Sequence, residues 1–185
     1  MDLFMRLVSA LFALVATLMF TEGAAAMDKE NTLYIDLKDG RVVIEMRPDL
    51  APNHVAQIKK LAREGKYNGI VFHRVIEGFM AQTGDPNGTG TGGMGETLKA
   101  EFSREPHTRG AVSMARTNDP NSARSQFFIV FKDSNFLDGQ YTVWGRVVSG
   151  MEFVDKIKRG VGQSGSVPAP ADQMIKVQVA ADAKD

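Results

Sequence analysis

The sequence predicts a mainly β domain, a barrel or sandwich closed by helical caps. Three observations predict it: short β-rich runs recur along the chain, only two stretches carry helical spacing, and no internal repeat is present. At 185 residues the chain is the size of one domain, with enough apolar content to bury a core. The first 26 residues stand apart from that domain. Leu7 to Phe20 is an uncharged, mostly apolar run of 14 residues behind Arg6, and Ala24-Ala25-Ala26 follows it. This is the layout of a signal peptide, too short for a comfortable transmembrane helix of ~20 residues. Cleavage after Ala26 is expected, leaving a domain over 27–185 that is periplasmic or secreted. The same reading implies no stable membrane association after cleavage; its alternative is an uncleaved, tilted anchor.

The elements follow in order. Leu33 to Leu37 and Val42 to Met46 are strand-like, and Asp39-Gly40 between them is a strong hairpin signal. A helix is predicted from Pro52 to Glu64. Proline suits its first turn, Val55, Ile58, Leu61 and Ala62 recur at helical spacing, and Gly65 closes it. Ile70 to Val75 and Gly78 to Gln82 read as strands around a kink at Gly78. Six glycines between Gly84 and Gly95 exclude a helix or strand interior there. Strands return at Ala111 to Ala115, Gln126 to Phe131 and Tyr141 to Val148. Met151 to Lys158 is the second helix, 160–172 is a surface loop, Met174 to Val179 is a closing strand, and Ala180 to Asp185 is a frayed tail.

Several chemistries are excluded early. Lys+Arg and Asp+Glu balance at 22 each, so no nucleic-acid partner is indicated. Cysteine is absent, which removes disulfides and thiol chemistry. His54, His73 and His107 are too scattered for a metal site, and no cofactor is expected. His54 reads as solvated, His73 as structural and turned away from Arg74, and His107 as part of a polar loop. Gly88-Thr89-Gly90-Thr91-Gly92-Gly93 satisfies G-x-G-x-x-G, but Asp85-Pro86-Asn87 precedes it and Gly95 follows. A strand–turn–helix phosphate site is therefore not expected. The loop reads instead as one that lets backbone approach an extended ligand. Serine hydrolysis lacks a nucleophile elbow.

What remains is an arginine among aromatics and amides. An unpaired guanidinium is costly beside the apolar run ending at Val75-Ile76, so Arg74 demands a reason. Phe79 and Met80 form an apolar shelf close by, and Gln82 shares Met80's strand face. Gln126 adds a second amide beside Phe127-Phe128, of which only one faces inward on a strand. This suits a shallow groove that grips and twists a peptide without cleaving it.

Phe72-His73-Arg74, Gly78-Phe79-Met80, Gln82, Ser125-Gln126-Phe127-Phe128-Ile129 and Leu137-Asp138-Gly139 together resemble the cyclophilin-type peptidyl-prolyl cis-trans isomerases, from about Leu33 to Val179. The resemblance implies a closed eight-stranded antiparallel β-barrel capped by two α-helices. It implies catalytic roles for Arg74, Gln82 and Phe79, and a proline pocket built from Phe79, Met80, Phe128 and Leu137. It also implies that Gln126 positions substrate, that Gly90, Ala115 and Arg116 line an adjoining groove, and that Phe136 and Tyr141 border the pocket. Proline-containing polypeptides are the implied partners, and a monomer is expected. The alternative is a non-catalytic proline-peptide binding module or holdase. Four positions depart from the family pattern: Phe136 for tryptophan, Tyr141 for histidine, Glu77 for proline and Arg116 for asparagine. The first leads to an expectation of weak cyclosporin binding.

Overall fold

The computed structural model describes residues 27–184; the expected signal peptide lies outside them. Eight strands form one antiparallel sheet: β1 (Thr32–Leu37), β2 (Gly40–Met46), β3 (Arg74–Ile76), β4 (Met80–Thr83), β5 (Ala111–Met114), β6 (Phe127–Val130), β7 (Val143–Ser149) and β8 (Lys176–Val179). Their order across the sheet is β3-β4-β6-β5-β7-β2-β1-β8. Two helices accompany it, α1 (Pro52–Arg63) and α2 (Met151–Val154). No described helix is long and apolar enough to cross a membrane.

Closure differs from the expectation. β3 and β8 are the two edges of an open, curled sheet, and no ladder joins them. The reason is local: β3 has only three residues, and the chain before it meets the chain before β8 through isolated contacts. Val71 and Gln173 form a single bridge, and the Phe72 N–H donates to the Asp172 carbonyl at 2.8 Å. Further along, the Val75 N–H donates to the Gly165 carbonyl at 2.8 Å and the Val167 N–H to the His73 carbonyl at 3.0 Å. On the β3 side the edge groups of Val75 are satisfied, but by loops rather than by a strand partner.

The main core lies between the sheet and α1. Leu33, Ile35, Ile44, Phe127, Ile129 and Trp144 are buried there against Val55, Ile58 and Leu61 of the helix. Each such side chain contributes ~1.5–3 kcal/mol when fully buried. Alternation along β6 sends Phe127 and Ile129 into this core. Phe128 and Val130 go to a second cluster on the opposite face, with Met80, Ala111 and Leu137. One of the two adjacent phenylalanines therefore builds the fold and the other is left for the surface cleft.

Several boundaries move for identifiable reasons. The β1–β2 turn falls on Lys38-Asp39, with Leu37 paired to Gly40, rather than on Asp39-Gly40. Gly40 is needed for a close approach: a Cβ there would sit 2.5 Å from the Phe153 ring. Helix α1 has Ala51 at its N-cap and no local side-chain cap. Glu101 supplies one from a distant loop, accepting from the Asn53 and His54 N–H groups at 3.1 Å each. His54 is consequently fully buried, its Nδ1 2.5 Å from Glu101, and the expectation of a solvated ring is corrected. Helix α2 stops at Val154 rather than Lys158, whose N–H donates to Asp172 at 2.7 Å. The tail is not frayed at its start: Ala180–Asp182 is a 3-10 turn, Ala180 is buried, and Asp182 pairs with Arg63 at 2.9 Å.

Candidate active site

β3, β4 and β6 place their outward side chains side by side. Arg74 lies opposite Gln82, Ile76 opposite Met80, and Gln82 in turn opposite Phe128. Gly78, at φ +67°, turns the chain between β3 and β4 and brings Phe79 onto this face. A cleft of about 550 Å³ opens above it. Met80, Phe128 and Leu137, buried to 1%, 5% and 7% exposure, are its floor; Phe79 and Tyr141 are its walls. Tyr141 stands edge-on to Phe128 at 5.9 Å between ring centroids, and Arg116 lies over the Tyr141 ring at 4.6 Å. Tyr141 thus closes the pocket on the side where a histidine is common in the resembled family.

Gly90, Ala115 and Arg116 line this cleft and also a second one of about 530 Å³, which adds Gln126 and Arg124. The two halves share Gln82 and are continuous. Phe136 is at the rim instead of in the lining; it is 66% exposed and leans on Phe79 at 5.5 Å between centroids. Glu77 lies away from the cleft and pairs with Arg159.

The guanidinium of Arg74 is held without a carboxylate. Its Nε donates to the Ser164 carbonyl at 3.0 Å and Nη1 to Gln82 Oε1 at 3.2 Å. Gln82 Nε2 donates to Gln126 Oε1 at 2.8 Å, and Gln126 Nε2 donates to the Gly90 and Gly92 carbonyls at 3.0 and 2.7 Å. A line of amides therefore runs from the glycine-rich loop to the arginine. Nη2 has no hydrogen-bond partner among the described residues. Held this way, the group keeps donors for a ligand that a carboxylate would otherwise occupy.

The loop itself is organised by Asp85, which is 1% exposed. Its carboxylate accepts backbone N–H bonds from Asn87, Thr89, Gly90 and Gly92 at 2.9, 3.0, 2.6 and 3.2 Å. Burial pushes its pKa up, but these donors outweigh burial and hold it below the usual carboxylate range. Gly92 permits the wrap, since a Cβ there would lie 2.1 Å from the Asp85 oxygen. The glycine-rich stretch is thus a carboxylate-centred loop.

The other two histidines also differ from expectation. His73 does not turn away from Arg74's cleft; it lines it, 8% exposed, with neither ring nitrogen hydrogen-bonded. Strand pairing begins only at Arg74, so alternation does not constrain it. Burial lowers its pKa; Asp85 acts to raise it and Arg74 to lower it further, while Gln126, near but outside hydrogen-bonding geometry, has the weakest influence. His107 is fully buried under the cleft floor, its ring stacked on Phe128 at 6.2 Å. Its Nδ1 meets Asp138 at 2.9 Å and its Nε2 meets Ser113 Oγ at 3.1 Å, while Ser113 Oγ donates to the Thr142 carbonyl at 3.0 Å. Sequence reasoning missed Asp85, Ser113, His107, Asp138, Ser164 and Arg124. Asp85 alone had a local signal, the Asp-Pro-Asn-Gly turn composition.

An apolar pocket, a carboxylate-free arginine and an amide line on one sheet face define a peptide-binding isomerase site without acid–base machinery. Comparison with known proteins gives that class its family. Residues 32–179 match the family model described as cyclophilin type peptidyl-prolyl cis-trans isomerase/CLD. A probable peptidyl-prolyl cis-trans isomerase of Brucella suis is 58% identical, over 87% of this chain and 88% of its own. Peptidyl-prolyl cis-trans isomerase B of Bacillus subtilis is 48% identical, over 70% of this chain and 92% of its own. Among solved structures, a cyclophilin from Hirschia baltica superposes with a TM-score of 0.75 at 32% identity, covering 85% of this chain and 77% of that one. A cyclophilin-type isomerase of Cryptosporidium parvum, solved in the presence of the dipeptide Ala-Pro, gives 0.73 at 27% identity, covering 80% and 98%. The chain belongs to the cyclophilin-type peptidyl-prolyl cis-trans isomerases.

Proposed function

We propose that the protein accelerates rotation about Xaa-Pro bonds in exported polypeptides as they fold, with Arg74 as the catalytic donor. The observation that carries the reading is the Arg74 guanidinium, fixed by Ser164 and Gln82 beside the apolar pocket and free of any carboxylate among the described residues.

The Xaa-Pro amide resists rotation because resonance gives its C–N bond partial double-bond character, a barrier of ~20 kcal/mol. At the half-turn that resonance is lost and the prolyl nitrogen becomes a pyramidal acceptor. A fixed guanidinium donates to this nitrogen only in the twisted geometry, so it favours the transition state over both planar states. Phe79, Met80, Phe128 and Leu137 hold the proline ring while the preceding carbonyl swings, and Gln82 keeps the arginine in register. Reducing ~100 s to about a millisecond requires a factor near 10⁵, or ~7 kcal/mol. One charged donor with anchoring and desolvation accounts for a value of that size. No proton changes hands.

Arg74→Ala tests this by exchange NMR on an Ala-Pro peptide, with folding followed by circular dichroism. A fall in kcat of at least a hundredfold in a folded variant is expected; near-normal exchange removes Arg74 from its role and favours a site that only grips proline segments. The exported, periplasmic setting rests on the signal-like segment ahead of Met27, with which the absence of cysteine is compatible, and the monomer is carried forward as an expectation. Fractionation and N-terminal sequencing of the mature protein test the setting, and sedimentation tests the monomer.

A further inference from the structure

Among the described residues the arginines fall into two groups. Outside the cleft, Arg41, Arg47, Arg63, Arg109, Arg146 and Arg159 each hold a carboxylate. Arg104, exposed and outside the lining of either half, is the exception. Inside it, Arg74, Arg116 and Arg124 hold only neutral oxygens. Arg116 donates to the Gln140, Thr117 and Asn118 carbonyls at 3.1, 2.8 and 3.4 Å. Arg124 donates to the Gly95 carbonyl through Nε at 3.1 Å and Nη2 at 2.8 Å. Neither half of the cleft is lined by an Asp or Glu. In a chain whose charges balance overall, three positive side chains line one groove that has no carboxylate among its lining residues.

Backbone carbonyls fix the direction of a guanidinium without cancelling its charge. Arg116 and Arg124 are thereby held as oriented cations, Arg116 where the two halves meet and Arg124 in the second half. An extended peptide advances ~3.3 Å per residue, so side chains two or three positions from the proline lie ~7–10 Å along the groove. The two halves share Gln82, Gly90, Ala115 and Arg116, so a chain leaving the proline pocket along the groove enters the second half.

Building on the isomerase reading above, we infer that this site selects acidic proline segments: peptides bearing a carboxylate two or three residues from the proline, received by Arg116 and Arg124. Arg116 is thus more than a replacement for a neutral asparagine; together with Arg124 it sets the charge of the preferred client. A basic residue at the same place meets like charge and is disfavoured.

The experiment uses the mature protein and Ala-Pro peptides that differ only in Glu, Gln or Lys two or three positions before or after the proline. Exchange NMR reads kcat/KM for each. In one register, the Glu peptide is expected to exceed the Gln peptide about two- to fivefold at low salt, with Lys lowest, and the gap to shrink in 0.5 M salt. Arg124→Gln is expected to bring the Glu/Gln ratio toward one, and Arg124→Glu to favour Lys. Equal kcat/KM for Glu and Gln peptides in every register overturns the inference, as does a ratio unchanged by Arg116→Gln combined with Arg124→Gln. Failure of the isomerase reading looks different: no peptide, neutral or charged, is turned over. In that case the dissociation constants of the same peptides, read from NMR shift titrations, carry the comparison, with equal affinities again overturning the charge selection.

Discussion

Asp85 makes no contact with the proline pocket floor, yet its replacement by Asn is predicted to damage both stability and catalysis. One carboxylate oxygen accepts from Asn87, and the other accepts from the Thr89, Gly90 and Gly92 N–H groups and from the Thr89 hydroxyl. An asparagine serves the second set with its carbonyl but then turns its own NH₂ toward the Asn87 N–H, so one bond is lost outright. The four that remain, three from backbone N–H groups and one from the Thr89 hydroxyl, lose charge assistance, which separates bonds of about 1.5–3 kcal/mol from those of about 0.5–1.5 kcal/mol. The loop N–H groups are partly open to water, which recovers some of this, leaving a net loss of about 2–4 kcal/mol. In a domain of this size that lowers Tm by roughly 5–12 °C in differential scanning calorimetry. The Gly90 and Gly92 carbonyls hold Gln126, and through Gln82 they set Arg74. Exchange NMR is therefore expected to show kcat/KM reduced about tenfold well below Tm, because the arginine loses its register. An Asp85→Asn protein with unchanged Tm and unchanged exchange would refute the claim that the buried carboxylate organises the loop and sets the site.

Two further outcomes are expected. His107→Phe keeps the ring against Phe128 but removes its contacts to Asp138 and Ser113. Peptide titrations and exchange NMR should show KM raised and kcat/KM lowered roughly three- to tenfold, from a loosened floor, and Asp138→Asn should do less; a neutral His107→Phe contradicts this coupling. His73 has its pKa lowered chiefly by burial, so its neutral form is the one the fold favours. Its contribution to stability is then present above the unfolded value near 6.5 and is lost as pH falls toward the folded value. The stability difference between wild type and His73→Gln should narrow as pH falls below about 6.5; a flat difference, or an NMR titration of His73 at or above ~6.5, is the opposing result.

How much of this was legible depended on whether the cause was local. Arg74, Phe79, Met80 and Gln82 lie within nine residues, so strand alternation and one glycine turn were enough to group them. Phe127 and Phe128 declared their opposite fates by adjacency alone. His54 and His107 were misjudged because their partners, Glu101 and Asp138, are 47 and 31 positions away and no periodicity links them. The same limit explains the seam. Whether β3 and β8 pair depends on where two loops meet, and neither loop has a pattern that encodes the other. Arg124 escaped notice because an exposed arginine usually has a surface carboxylate, and only coordinates reveal that its partner is a backbone carbonyl.

The strut between Arg74 and Ser164 spans 90 positions, and β1 acquires its outer neighbour only from residues 176–179. A nascent chain that has delivered every pocket side chain still lacks the carbonyl that holds the Arg74 guanidinium, the proposed catalytic donor. Removal of residues 162–185 takes away both the Ser164 strut and β8, and is expected to silence the isomerase while sparing every residue of the proline pocket.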